Sequence, residues 1–286
     1  MTSLSSRRRR DRIMTGAMLA AVLIAVVPLA AILADVVAKG VGQLSWSFFT
    51  QPAPFVATAA GGGYGAGIRG TIKMVALGTV VAVPVGVLAA VYLSEYRTSG
   101  LLATPVRFFA DVMTGIPSIF VGIFVFTVIV LETHSFSTWA GGLALGILML
   151  PLIVRTSEEA LRLVPDHLRE ASLALGVRRW RAIVSVVLPT ALPGIVTGAL
   201  LAVARAAGET APLLLTAFGN QLLVPWTGWG GPESSLTLEI FTDSRSPFPA
   251  QQARAWTGAL VLIFGVLVVS VAARTIATRR RSTRGR

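Results

Sequence analysis

Apolar and polar positions along this chain separate into long blocks. Six apolar runs stand out, at 13–34, 68–93, 108–131, 138–154, 190–218 and 256–273. Each has about 17 residues or more, the length a helix rising about 1.5 Å per residue needs to cross a hydrocarbon core. Helices are expected because backbone polar groups in lipid must be satisfied within their own segment. The pattern predicts an all-α integral membrane protein with six transmembrane helices. Pro28, Pro84, Pro117, Pro151, Pro193 and Pro212 fall in or near the runs. Packing kinks and hinges for alternating access both accommodate them. No internal duplication marks the repeated halves of many secondary transporters.

One polar stretch interrupts the pattern between the fourth and fifth runs. Residues 158–189 read EEALRLVPDHLREASLALGVRRWRAIVSVVLP, with acidic and arginine side chains interspersed. From Pro165 the pattern predicts a short amphipathic helix over 166–175: proline and an acid suit its first turn. Leu168, Ala171 and Leu175, with neighbouring Ser172, can share a face, and Gly176 suits the stop. So short a helix is marginal in water alone and must dock on something. A surface of lipid headgroups is one candidate; a separate protein in the aqueous phase is the other.

Composition strengthens the membrane reading. The chain has 286 residues, 54% of them hydrophobic and 13% charged, with mean hydropathy +0.74, against about 25% charge in a soluble domain. The net charge of +12 does not point to nucleic acid, because no basic face with interleaved aromatics accompanies it. Five of the basic residues lie in 7–12, two are Arg97 and Arg107, six lie in 155–181 and six in 274–286, together nineteen of 25. Positive-inside bias therefore places both termini and the polar stretch in the cytoplasm. The other six are Lys39, Arg69, Lys73, Arg205, Arg245 and Arg254. The first run exceeds the 7–15-residue core of a signal peptide and is read as a retained helix. The expected organisation is a basic arm at 1–12, a permease domain at 13–274 with a cytoplasmic loop at about 156–189, and a basic tail at 275–286.

Candidate chemistry is sparse. There is no cysteine, which excludes disulfides and thiolate ligands. The stretch GGGYGAGIRGT at 61–71 contains G-x-x-x-x-G, but Thr71 and Ile72 stand where a nucleotide loop has Lys and Ser/Thr. It is read as a flexible approach to the second helix. His134 and His167 lack metal-ligand spacing, so no metal, cofactor or catalytic group is expected. Trp46, Trp226, Trp229 and Trp256 suit an interfacial belt or a rim that receives an external protein. Arg205 and Glu209 sit four apart inside the fifth run, a spacing that puts them on one helix face. Charges within the membrane usually face a cavity or partner and mark a transport path. An arginine fork suits phosphate oxygens, and a carboxylate beside it can accept a hydrogen bond from a protonated oxyanion.

The spacing Glu170-Ala171-Ser172, three residues, Gly176, nine residues, Val186-x-Leu188-Pro189 resembles the EAA loop of ABC importer permeases, EAA-x3-G-x9-I-x-LP. Ser172 for the second alanine and Val186 for isoleucine are small departures. AVARAAGETAPLL at 202–214, TGIPSIFVGIF at 114–124 and YLSEY at 92–96 are similar to the phosphate-uptake permeases of the Pst type, the A subunit more than its C-subunit partner. The likeness covers roughly residues 13–275 and leaves the arginine-rich ends unmatched.

The resemblance implies six helices in the type I importer permease arrangement, in a bacterial cytoplasmic membrane. It also implies a homologous second permease subunit, two cytoplasmic ATPase subunits that use the ATP, an extracytoplasmic phosphate-binding protein and surrounding lipid. Glu170, Ala171, Ser172, Gly176, Leu188 and Pro189 would belong to the ATPase coupling contact, and Arg205 and Glu209 would line the substrate path. A permease for molybdate or sulfate, or an ion-driven transporter without an ATPase, is the alternative.

Overall fold

The computed structural model describes residues 4–96 and 103–282. Among the described residues there is no strand. Helices α1 (Leu4–Gly40), α2 (Trp46–Thr50), α3 (Gly65–Val91), α4 (Ala103–Gly115), α5 (Ser118–Val125), α6 (Leu131–Thr133) and α7 (Thr138–Arg162) form the first half. The second half holds α8 (Asp166–Ala174), α9 (Arg179–Ala182), α10 (Leu188–Ala207), α11 (Ala211–Thr216), α12 (Leu236–Ser244) and α13 (Pro249–Ser282). Wider π-type turns over Tyr92–Tyr96, Phe126–Val130 and Ile183–Val187 extend α3 and join α5 to α6 and α9 to α10. Residues 1–3 and 283–286 of the expected arm and tail, and Arg97, lie outside the described residues.

Among the described residues, five helical runs are long and apolar enough to cross a membrane: Arg10–Gln43, Gly65–Tyr96, Thr138–Arg162, Arg179–Ala207 and Pro249–Ala272. The third expected helix, at 108–131, is a broken pair. Ala103–Gly115 and Ser118–Thr133 meet at 107°. Pro117 causes this locally: it lacks an N–H and biases the preceding residue away from helix, and it caps α5 with ψ 134°. Pro28, Pro84, Pro151 and Pro193 instead lie inside continuous helices.

Helices α3 and α7 form the centre. Gly78 meets Gly142 and Gly146 so closely that a Cβ there would stand 3.0 Å from the Gly142 oxygen. Small residues are what allow membrane helices such close approach. Met74, Leu145, Met149, Ile153 and Leu213 fill the core beside this seam. Helix α10 packs on α7 and α13, and α12 lies on α3 and α13. Most of α1 is exposed along its length; its last turn is held where Thr257 Oγ1 donates to the Gly40 carbonyl at 2.8 Å. One end of the bundle, the loop end, carries α8; the far end carries α2 and α12.

Two expected boundaries shift. The fourth run continues as helix to Arg162, so the first residues of the polar stretch extend a spanning helix. The region between the fifth and sixth runs, which read as loop, contains α12 and the start of α13.

Candidate functional site

At the loop end, Pro165 caps α8 in extended conformation and Asp166 sits in its first turn. Helix α8 stops where expected. The Gly176 N–H donates to Leu173 O at 2.9 Å and the Val177 N–H to Ser172 O at 3.2 Å. Gly176 has φ +76°, the left-handed conformation that a side chain disfavours.

The inward face of α8 differs from the expected one. Ser172 is buried and Leu168 half-buried, but Ala171 is exposed and Leu175 is 83% exposed. Arg169 sets this orientation. Its Nη2 lies 2.8 Å from Glu95 Oε1 and 2.8 Å from the Leu161 carbonyl, its Nε 3.2 Å from Glu95 Oε2, and its Nη1 3.0 Å from Asp166. Nη1 also donates to the Val164 carbonyl. The hydrogen bonds to Glu95 push the guanidinium pKa up. Glu170 is left exposed, and with Ala171, Leu173 and Leu175 it presents a mixed polar and apolar surface. Leu188 packs with Leu168 against Leu161, Val164 and Val187, and Pro189 is half-buried beside it. The start of α8 and the start of α10 thus share one apolar cluster.

Glu95 was visible in sequence only as part of YLSEY. It is buried, and its carbonyl also accepts from Arg179 Nη2. A carboxylate at the end of an apolar run was the available signal.

Arg205 and Glu209 do come together, though not on one helix. Helix α10 ends at Ala207 with Gly208 as its cap, and α11 starts at Ala211. The expected run 190–218 is therefore split at 208–210, where Pro212 in the first turn of α11 suits a new helix start. Arg205 Nε lies 3.5 Å from Glu209 Oε1, the long edge of a hydrogen bond. Arg205 is 53% exposed and Glu209 16%, so most of the guanidinium fork is open to another anion. Thr237 Oγ1 donates to the Glu209 carbonyl at 2.9 Å and holds the break in place.

Sequence reading missed a second set of charges at the far end. Lys73 and Glu233 pair at 2.9 Å, each 1% exposed. Lys73 Nζ also donates to the Pro225 and Gly228 carbonyls, and Thr138 Oγ1 to Glu233. Nearby, Asp243 accepts from Tyr64 Oη at 2.8 Å and from Arg254 Nε at 3.4 Å. Burial and then Asp243 push the Tyr64 phenol up. Glu239, one turn before Asp243, is buried; the Ser234 hydroxyl and Gly67 amide lie near it without a well-directed hydrogen bond. Burial pushes its carboxyl up to about 8. Lys73 and Arg254 had stood out only as exceptions to the basic-residue distribution.

Trp226, Trp229 and Trp256 each carry a cation, Arg69, Lys73 and Lys39 respectively, within 5.8 Å of the ring centre. Trp46 is exposed. His134 and His167 stay on separate elements, α6's end and α8, and no group of three or more His, Asp or Glu is placed to hold a metal among the described residues.

Residues 82–282 match the family described as binding-protein-dependent transport system inner membrane component. The chain is 41% identical to the phosphate transport system permease protein PstA of Yersinia pestis over 276 residues, covering 96% of this chain and 92% of that one. It is 39% identical over 268 residues to PstA of Haemophilus influenzae, covering 94% of each. It is 41% identical over 283 residues to PstA 1 of Mycobacterium tuberculosis, covering 96% and 91%. In fold it is similar to a chain of the MetNI methionine ABC transporter solved in inward-facing conformations, at TM-score 0.59 and 24% identity over 75% of this chain and 95% of that one. The chain thus has the type I importer permease arrangement and belongs, as a multi-pass membrane protein, to the binding-protein-dependent transport permeases and within them to the PstA family.

Proposed function

We propose that this chain is a membrane-spanning subunit of an ATP-driven phosphate importer. It forms part of the translocation path and takes its motion from a separate cytoplasmic ATPase. The observation that carries the reading is one helical run. From Arg179 to Ala207 the chain leads directly from the α8 loop to the break holding Arg205 and Glu209. In this reading the surface around Glu170, Ala171, Ser172 and Gly176, backed by Leu188 and Pro189, docks on the ATPase. Both termini are cytoplasmic, and a homologous second permease, two ATPase subunits and an extracytoplasmic phosphate-binding protein complete the machine.

Arg205 offers a planar fork to two oxygens of the anion. Glu209 accepts a hydrogen bond from a protonated phosphate and repels a fully deprotonated oxyanion such as sulfate. Names of relatives agree, since the PstA proteins above are described as phosphate transport permeases. The chain itself is a transport subunit, and ATP hydrolysis belongs to its partner.

The test is reconstitution of the chain with its co-purifying partners in vesicles, comparing phosphate, sulfate and molybdate. ATP-dependent uptake of phosphate over the other two is expected. Uptake by this chain alone without ATP would replace the reading with an ion-driven transporter, and preference for molybdate or sulfate would replace the substrate.

A further inference from the structure

The coupling helix touches more than the run leading to Arg205. Arg169 ties α8 to Glu95 at the loop end of α3, and Arg179 holds the Glu95 carbonyl from the returning limb of the same loop. Two residues earlier, the Leu93 carbonyl accepts from Arg107 Nη2 of α4 at 3.0 Å. Arg107 Nε also reaches Glu158 of α7 at 2.8 Å, and Asp111 of α4 pairs with Arg155 of α7. Leu93, Ala103 and Val154 pack together beneath these contacts. The loop ends of α3, α4 and α7 are therefore one charged platform, and α8 is docked on it.

Helix α4 leads from this platform into the 107° bend and α5. Helix α5 bears on α11. Gly122 meets Pro212 so closely that a Cβ would lie 2.7 Å from the Pro212 Cα. Helix α11 begins two residues after Glu209, on the far side of the break from Arg205. The charged pair is thus approached from two directions: α10 carries Arg205, and α4–α5 bears on the segment that follows Glu209. Displacement of α4 reaches α5 through the short bend at Ile116 and Pro117, and α5, packed on α11, passes it on, because packed interfaces shift between discrete arrangements instead of deforming smoothly.

We propose that the broken span α4–α5 is a lever that carries displacement of α8 to the Glu209 side of the charged pair, with Glu95 and Arg107 as positioning residues and Gly122 as the bearing point. This rests on the reading of α8 as the motor contact. Movement of α8 shifts α10 and the lever by different routes, and the Arg205–Glu209 separation, now 3.5 Å, opens or closes with their difference.

The chain has no cysteine, so introduced pairs are the only thiols this subunit brings, and the labelled complex is read against the same complex without the introduced pair. In the complete complex, spin labels at Phe120→Cys on α5 and Leu201→Cys on α10, both exposed, read the distance between the two arms with and without bound ATP. A shift of about 2 Å or more is expected on ATP binding, the scale of helix shifts in switching proteins. Glu95→Gln and Arg107→Gln should at least halve it. In the same variants ATP hydrolysis should continue while phosphate carried per ATP falls about tenfold, within the usual range of coupling between sites.

An unchanged arm distance on ATP binding in the otherwise native complex overturns the lever, as does a full shift in both Gln variants. If one variant fails to assemble, the other and the native labelled complex still decide. The distance needs ATP and not phosphate. A complex that carries some other anion would sink the proposed substrate while leaving the lever open to this measurement.

Discussion

Arg169 and Glu95 face each other across 2.8 Å at the loop end of the bundle, 74 residues apart in the chain. The same guanidinium reaches the Leu161 carbonyl at 2.8 Å and Asp166 at 3.0 Å. A single planar fork thus sets the orientation of a nine-residue helix too short to hold itself. Lysine keeps the charge but not the fork. Arg169→Lys is expected to leave the protein inserted and to lower ATP-driven uptake about tenfold, a loss of about 1.4 kcal/mol in coupling. Uptake in reconstituted vesicles checks it; a native rate would show that α8 holds its orientation without the fork.

Gly176 gives a test of the helix stop. Nothing lies within 4 Å of a Cβ there, so the only obstacle to a side chain is φ +76°. Gly176→Val should cost about 1–2 kcal/mol locally and misplace the returning limb through Arg178 and Arg179. Normal membrane yield with impaired ATP-driven uptake is the expected result, measured by immunoblot and uptake on the same cells.

Arg205→Gln removes the charge and the fork while keeping similar bulk. Because Arg205 is half exposed and its pairing with Glu209 is long, the fold should tolerate the change. Phosphate uptake should vanish while the complex still co-purifies. Unchanged phosphate transport would remove Arg205 from the path.

The Lys73–Glu233 pair is the opposite case, buried on both sides. Removing one partner leaves an uncompensated buried charge, which typically costs about 3–5 kcal/mol. Lys73→Met should lower the thermal midpoint of the purified protein sharply. Lys73→Met with Glu233→Leu should recover part of the loss, since no lone charge is then buried, while the Pro225 and Gly228 carbonyls that Lys73 had held stay unpaired. An equal or larger loss in the double variant would show that Glu233 holds the 219–235 segment by itself.

Glu239 supplies a pH prediction. Its carboxyl is raised from the usual 4.5 to about 8 in the folded protein, so between these values the folded state keeps a proton that the unfolded chain has lost. Its contribution to stability therefore falls as pH rises from about 4.5 to 8, at up to about 1.4 kcal/mol per unit, and levels off above. Glu239→Gln should match the native protein near pH 5 and exceed it near pH 8. Thermal unfolding scans across that range check the sign, and parallel curves for both proteins would contradict it.

What the sequence determined by itself was local. Runs of apolar residues long enough to span a bilayer, a short helix over 166–175 between a proline and a glycine stop, and the spacing from Glu170 to Pro189 all depend on neighbours in the chain. Hydrophobic length and backbone conformation are properties of a segment, so they are legible without a fold. Only the tertiary structure decided which face of α8 turns inward, because Glu95 chooses it from another helix. It also showed that Pro117 bends the third span by 107° while Pro84 and Pro151 leave their helices continuous. A proline's missing N–H is the same in every case, and packing around it sets the angle. Lys73 and Glu233 are 160 residues apart; the sequence shows Lys73 only as a basic residue within an apolar run, and only folding brought the two out of water together. Charges act through space, and their partners are known only once the chain has closed around them.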